Sequence, residues 1–222
     1  MKHPKTMDFQ ALKHDIRCEM EDRTLKILSE DENSITILDL ADIFASEPKE
    51  ITFTNPNAVN ARWLRSHIWI HPKITELLKD DLVSGLLEMD LNTFITLRHL
   101  VIVPSLDDLK DYIKDTQIQS LLDTAPAKHR TKDNPIGQFW YQANCAIIFY
   151  NNVKHAAYDT ICETLSRWES FHMWETIFHE LRHLMLDGNP FLPTSDYPVQ
   201  LASEDAVEEF CREEYNRIFL SY

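Results

Sequence analysis

Glycine is nearly missing from this chain, with three in 222 residues. So low a content excludes the glycine-rich loops that cradle nucleotide phosphates and argues against a glycine-turn barrel. Long apolar runs are missing too, so no segment approaches a membrane span, and residues 1–23 are charged throughout, without the apolar core of a secretory signal. Cysteine is sparse: Cys18, Cys145, Cys162 and Cys211 are widely scattered with no short pairing. Such spacing reads as reduced, mostly buried thiols in a reducing compartment. Cytoplasmic residence is the expectation, although an effector exported without a cleaved signal would look the same. Basic residues are outnumbered 22 to 36, giving a net charge of −14, and no Lys/Arg cluster offers a nucleic-acid surface. No membrane partner is expected, and the oligomeric state stays open. No internal repeat or low-complexity tract is present.

What is there is a chain 44% hydrophobic and long enough to bury a substantial core as one domain or two packed halves. Residues 8–29 have helical character. Strand patterns follow at 34–38, 50–54 and 67–70, each rich in β-branched or aromatic residues and bounded by Asp, Asn or Pro. An amphipathic helix is expected at 74–89, a buried strand at 99–103, and a helix from Ser105 to about 122, with Asp107 and Asp108 in its first turn. The polar stretch 125–137 is the best boundary or exposed loop, and 144–150 is the clearest strand. The expected class is α+β, divided into an N-terminal α/β subdomain over 1–125 and a second subdomain over 126–222, or one compact domain.

The chemistry concentrates in Phe178-His179-Glu180-Leu181-Arg182-His183-Leu184. On a helix, positions i and i+4 share a face, so His179 and His183 can aim ring nitrogens at one ion. Glu180, rotated by about 100° from His179, is kept out of the coordination shell but near a metal-carried water, whose proton it can accept. Chance produces this five-residue pattern in roughly 3–4% of chains of this composition, so context decides. Trp174, Ile177 and Phe178 before it and Leu181, Leu184, Met185 and Leu186 after it make a strongly apolar helix free of Gly and Pro from 163 to 187. Two imidazoles within such a helix are at least partly buried, where uncompensated polarity is costly. A metal would satisfy both.

A catalytic zinc ion takes three protein ligands and keeps one position open. Asp187-Gly188-Asn189-Pro190 ends the helix and turns the chain back. The segment from Leu201 reads as a second helix with an apolar stripe of Val207, Phe210, Cys211, Ile218 and Phe219. Beside that stripe, Glu204 is the acid best placed to complete the ligand set, with Glu208 one turn on to accept the second N–H of a ligating histidine. Glu204 also follows a plausible N-cap at Ser203, where it would complement the helix dipole. Glu214 and Asp187 remain rivals for the third ligand.

The arrangement resembles the gluzincin branch of the zincin metallopeptidases, the thermolysin-like group in which a His-Glu-x-x-His helix is joined by a glutamate from the next helix. The resemblance covers about 174–217. It implies a mixed sheet with an active-site helix and a following glutamate helix. It also implies Zn²⁺ held by His179, His183 and Glu204, with Glu180 as general base and Glu208 as the acid one turn after the third ligand. The implied reaction is hydrolysis of a peptide or protein substrate through a metal-activated water, with Tyr197, Arg212 or Tyr215 as donor to the developing oxyanion. A strand on the cleft rim pairs with extended substrate in such enzymes, which suggests that role for 146–150; a buried sheet strand is the plainer reading. Arg182 puts a charge where these enzymes usually have none, and Leu186 and Asn189 stand where metzincins carry Gly and His.

Three rivals stand beside this reading. A deformylase-type site would take its third ligand from a cysteine, for which Cys145 is available in a strand, although Gln142-Ala143-Asn144-Cys145-Ala146 lacks the expected glycine. A catalytically silent zincin-like binding or regulatory module would keep the helix without the reaction. Along the strand at 67–70, His67, Trp69 and His71 would share a face, but a second metal site there lacks a third ligand. Trp140, Tyr141, Trp168 and Trp174 read as core.

Overall fold

A computed structural model describes residues 7–20, 25–40, 48–116, 135–140, 143–158, 165–187 and 204–220, with the side chains of 156–158, 165–170, 186–187 and 204–208 left aside. The chain is an α+β fold with two sheets, one antiparallel and one mixed.

The first sheet is a meander of β1 (Leu25–Glu30), β2 (Ser34–Asp39) and β3 (Lys49–Thr54) in sequence order. Its inner face alternates Ile35, Ile37, Ile51 and Phe53, all essentially buried against Phe9, Leu12 and Ile16 of α1 (Phe9–Glu19). These α1 positions recur at helical spacing, and Asp8 caps the helix by accepting from the amides of Gln10 and Ala11. The expected helix over 8–29 therefore stops early. Leu25 and Ile27 alternate toward the core, and the strand they begin pairs with β2 across an irregularity between Ile27 and Ser29. A bulge of this kind blurs the alternation that marks a strand in sequence.

The second sheet has the order β4-β5-β7-β6, built from β4 (Ile68–Ile70), β5 (His99–Val103), β6 (Gly137–Trp140) and β7 (Cys145–Phe149). The first three named in that order run parallel, and β6 closes one side antiparallel to β7. Residues 145–149 are buried throughout, as a strand covered on both faces must be. Hydrogen bonding between β5 and β7 crosses residue 125, so the two expected subdomains share one sheet.

Helix α6 (Leu165–Asp187) covers one face, packing Ile177, Phe178, Leu181 and Leu184 on Leu100, Ile102, Ala146 and Ile148. Helix α4 (Leu109–Thr116) covers the other with Leu109, Tyr112 and Ile113 on Val101, Val103, Ile147 and Phe149. α4 follows a short 3-10 turn at Leu106–Asp108, so the expected helix from 105 is broken near its start, and its continuation past 116 lies outside the described residues. The helix expected at 74–89 is confined to α3 (Lys79–Leu86). β4 is preceded by α2 (Ala61–His67), which takes His67 out of the expected strand. α5 (Tyr150–Tyr158) links β7 toward α6.

α6 is apolar on more than one side because it is clasped from several. α7 (Glu204–Tyr215), extended by a π-helical stretch at Asn216–Leu220, lies antiparallel to it: Phe171 meets Tyr215 at 4.7 Å and Trp174 meets Phe219 at 5.0 Å between ring centroids, while Arg182 lies over Phe210. On a third side Gly85 of α3 takes the Trp174 indole: a Cβ there would stand 2.4 Å from Cη2. Trp140 and Trp174 are core, as expected; Tyr141 and the Trp168 side chain lie outside the described residues. Cys145 and Cys211 are buried, Cys18 is exposed and Cys162 falls outside the described residues.

Gly85→Ala gains up to about 1 kcal/mol in helix propensity but forces a methyl into the indole, an overpacking that costs about 1–3 kcal/mol. The variant is expected to be less stable by about 1–2 kcal/mol in urea denaturation, opposite to the change that propensity alone dictates.

Candidate metal centre

His179 and His183 stand one turn apart on α6, and their Nε2 atoms face each other at 3.1 Å. The rings are 4.8 Å apart between centroids, inclined at 64°, and both are half-buried. Two imidazole nitrogens bound to a tetrahedral zinc at the usual ~2.0–2.1 Å are about 3.3–3.4 Å apart. The pair therefore fits such an ion with a shift of a few tenths of an ångström. The i, i+4 spacing on an unbroken helix sets this separation.

Glu180 follows the sheet side of the helix and is 6% exposed. It lies against β6: a Cβ on Gly137 would be 2.6 Å from Glu180 Oε1 and 2.6 Å from Thr176 Cγ2. Gly137 is thus required for close approach, its backbone angles being ordinary. The pairing register orients that backbone. The amide of Phe149 donates to the carbonyl of Ile136, so in the alternation of an antiparallel ladder 136, 138 and 140 turn their polar groups toward β7. Gly137 and Phe139 turn theirs away, and no described strand pairs on that side. The strand on the sheet rim is therefore β6. The rim role suggested for 146–150 is corrected: 145–149 are interior, flanked by β5 and β6, and Tyr150 already begins α5.

Glu204 and Glu208 both belong to α7. Helical period puts backbone positions 204 and 208 on the face of Cys211 and Tyr215, which are buried toward α6; the side chains at 204 and 208 lie outside the described residues. So do Tyr197 and the Asp187 side chain. Glu214 is committed elsewhere, bonded to the Arg217 guanidinium at 2.5 Å, with Arg217 also donating to the Glu88 carbonyl. The Tyr215 ring packs between Phe171 and Phe219, and Arg212 is exposed. Arg182, the residue at odds with the family pattern, stacks on Phe210 of α7 at 4.6 Å. Its charge serves the contact between the two helices.

Cys145 cannot complete this centre. It sits on the α4 side of the sheet, with Sγ 3.3 Å from the Tyr112 hydroxyl, and burial pushes its thiol up to about 11. α6 covers the opposite face, which removes the deformylase arrangement.

The expected alignment of His67, Trp69 and His71 is also corrected. His67 ends α2, where Nδ1 lies 2.8 Å from the Trp63 carbonyl and the ring stacks on Trp63. His71 lies beyond β4 and turns to Asp108 and Asp111, a grouping whose ligand atoms fall within 4.8 Å of one another. Sequence gives no signal for it, because the partners come from α4 and the turn before it. The chemistry does not fit a cation. His71 Nδ1 accepts from the Lys73 amide at 3.1 Å, so in the neutral ring Nε2 carries the proton and donates to Asp111 at 3.0 Å. Ligation through Nε2 would require an imidazolate, and the Lys73 ammonium already holds Asp108 at 2.7 Å.

Comparison with protein-family models, with curated protein sequences and with solved structures gives no match.

A second polar group lies at the start of β5. His99 Nδ1 meets the Tyr112 hydroxyl at 2.6 Å, and burial, reinforced by the nearby charges of Arg98 and Lys79, pushes His99 down to about 4. Burial raises the Tyr112 phenol and lowers His67.

Gly137→Ala is expected to cost about 1–3 kcal/mol through forced displacement of Glu180 and Thr176. Adding Thr176→Ser, which removes one of the three clashing atoms, recovers part of the loss on a urea titration. The His99 shift sets a pH window. The unfolded ring takes a proton near 6.5 while the folded one refuses it until about 4, so stability falls as pH drops through that interval, by on the order of 2–3 kcal/mol. Urea midpoints measured across it should fall less steeply in His99→Gln than in the parent chain.

Proposed function

We propose that this chain is a zinc-dependent metallopeptidase of gluzincin type, acting in a reducing compartment on peptide or protein substrates. The observation that carries the reading is the 3.1 Å convergence of His179 Nε2 and His183 Nε2 on a helix whose neighbouring Glu180 is buried against a rim strand. His179, His183 and a glutamate of α7, Glu204 before Glu208, would hold the ion. A zinc ion bound there supplies Lewis acidity, lowering the pKa of a water and polarising the scissile carbonyl.

The chain's own residues supply the rest. Glu180 accepts the proton of the attacking water and returns it to the leaving amine, its side chain buried against β6. Gly137 and Phe139 present outward-turned amide and carbonyl groups, which suit an extended peptide added as a further strand. Glu208 is assigned to accept the second ring N–H of a ligating histidine, and Tyr197 to donate to the developing oxyanion. The mixed sheet with its single antiparallel rim strand beside the histidine helix supports the zincin comparison. Among the described residues no helix is long and apolar enough to cross a membrane.

A 3.1 Å separation also suits an N–H···N bond between two neutral rings. That supports a second reading, a zincin-like module without catalysis. Elemental analysis and peptide-library cleavage on the full chain decide between them. For the peptidase we expect one zinc per chain, lost in His179→Ala and His183→Ala. In Glu180→Gln the metal is retained and cleavage falls by about 10²–10⁴-fold, the range of a general base. Zinc without cleavage of any library member assigns the module in a zinc-stabilised form, and a folded chain that binds no metal assigns it in a metal-free form and overturns the metal site and the reaction.

A further inference from the structure

Away from α6, a cavity of about 250 Å³ opens between the outer face of β3 and the amino-terminal ends of β5 and β7. It is smaller than the ~300–1,000 Å³ of drug-sized sites, which limits an occupant to the size of a small metabolite. Its lining is polar, with Glu50, Thr52 and Thr54 on one side and His67, Arg98 and Asn144 among the residues on the other. The threonines and Glu50 share one strand face because they alternate, opposite to the face that packs on α1.

Asn144 is 3% exposed, and its buried side-chain oxygen Oδ1 has no hydrogen-bond partner. An orphan buried acceptor is costly, on the order of 1–3 kcal/mol, and the residue that carries it is one of those lining the cavity. His67 adds a second acceptor. Its Nδ1 serves the Trp63 carbonyl, which can only accept, so the neutral ring offers the Nε2 lone pair. Glu50 supplies a carboxylate and Arg98 a guanidinium, and neither is in an ion pair among the described residues. Orphan acceptors and a carboxylate favour an ammonium group, while the guanidinium favours a carboxylate. One small molecule that carries both is the complement of this lining.

We propose that this cavity binds a free α-amino acid as its zwitterion, the ammonium taken by Asn144, His67 and Glu50 and the carboxylate by Arg98. The site is separate from the α6 centre and stands whether or not that centre is catalytic. Calorimetric titration of the full chain with each of the twenty common L-amino acids tests it, followed by the N-acetyl and the carboxamide derivative of each ligand that binds. Two variants accompany it. Arg98→Gln removes the guanidinium of an exposed side chain, and Asn144→Gly removes the orphan oxygen while tolerating the positive backbone angle, φ 49°, found there. Circular dichroism checks that both remain folded. At least one amino acid should bind saturably, with affinity about tenfold or more weaker for each blocked derivative and in each variant. The proposal is overturned if no amino acid binds the folded chain, if the blocked derivatives bind as well as the parent, or if both folded variants keep full affinity.

Discussion

Everything distinctive in this fold depends on housing two imidazoles and a carboxylate in a helix enclosed on several sides. α6 touches the mixed sheet along one side, α7 along another, and α3 through the seat that Gly85 leaves for Trp174. Enclosure of that kind makes each polar group costly unless it is matched. The helix responds by pointing its histidines at one another and laying Glu180 on the backbone of β6. Two of the chain's three glycines stand opposite side chains of this one helix. In a chain this poor in glycine, these two stand where a side chain from α6 must approach backbone.

The sheet arrangement separates two chemistries. Its α6 face carries the histidine pair, whereas its α4 face carries the Tyr112, His99 and Cys145 contacts. Side chains that alternate along β5 and β7 go to opposite faces, so residues adjacent in sequence serve unrelated surroundings. That is why Cys145 is inert toward the α6 centre although Ala146, one residue on, packs toward it. The His71 group shows the converse. Three ligand-type residues come close, yet the Lys73 amide fixes the ring's tautomer and leaves it a donor.

What could be read from sequence was what is local. The spacing of His179 and His183 is a property of one helix, and Cys145–Phe149 is a continuous apolar run; both are found where the pattern put them. β6 has no signature in the sequence because its four residues carry no alternation of their own, and its rim position follows only from pairing with β7. Gly137 was nevertheless visible as one of very few glycines, set at the end of a polar stretch. The β-branched and aromatic neighbours of His67 give it a strand pattern, but Asn60 caps a helix ahead of it by accepting from Arg62 and Trp63. The cavity beside Asn144 had no sequence signature, since β3, α2 and the turn before β7 meet there only through the tertiary fold.

The parallel ladder joining β5 to β7 also fixes an order of assembly. His99 pairs with Cys145, and the residues between them must be made before a single bond of that ladder can close. During synthesis the meander with α1 can settle early, because its strands neighbour one another in the chain. The central strands cannot, and loop closure of this span precedes any reward from contact. Until residue 149 has left the ribosome, Leu100 to Val103 have β4 on one side and lack β7 on the other, which leaves that edge in need of shielding from other chains.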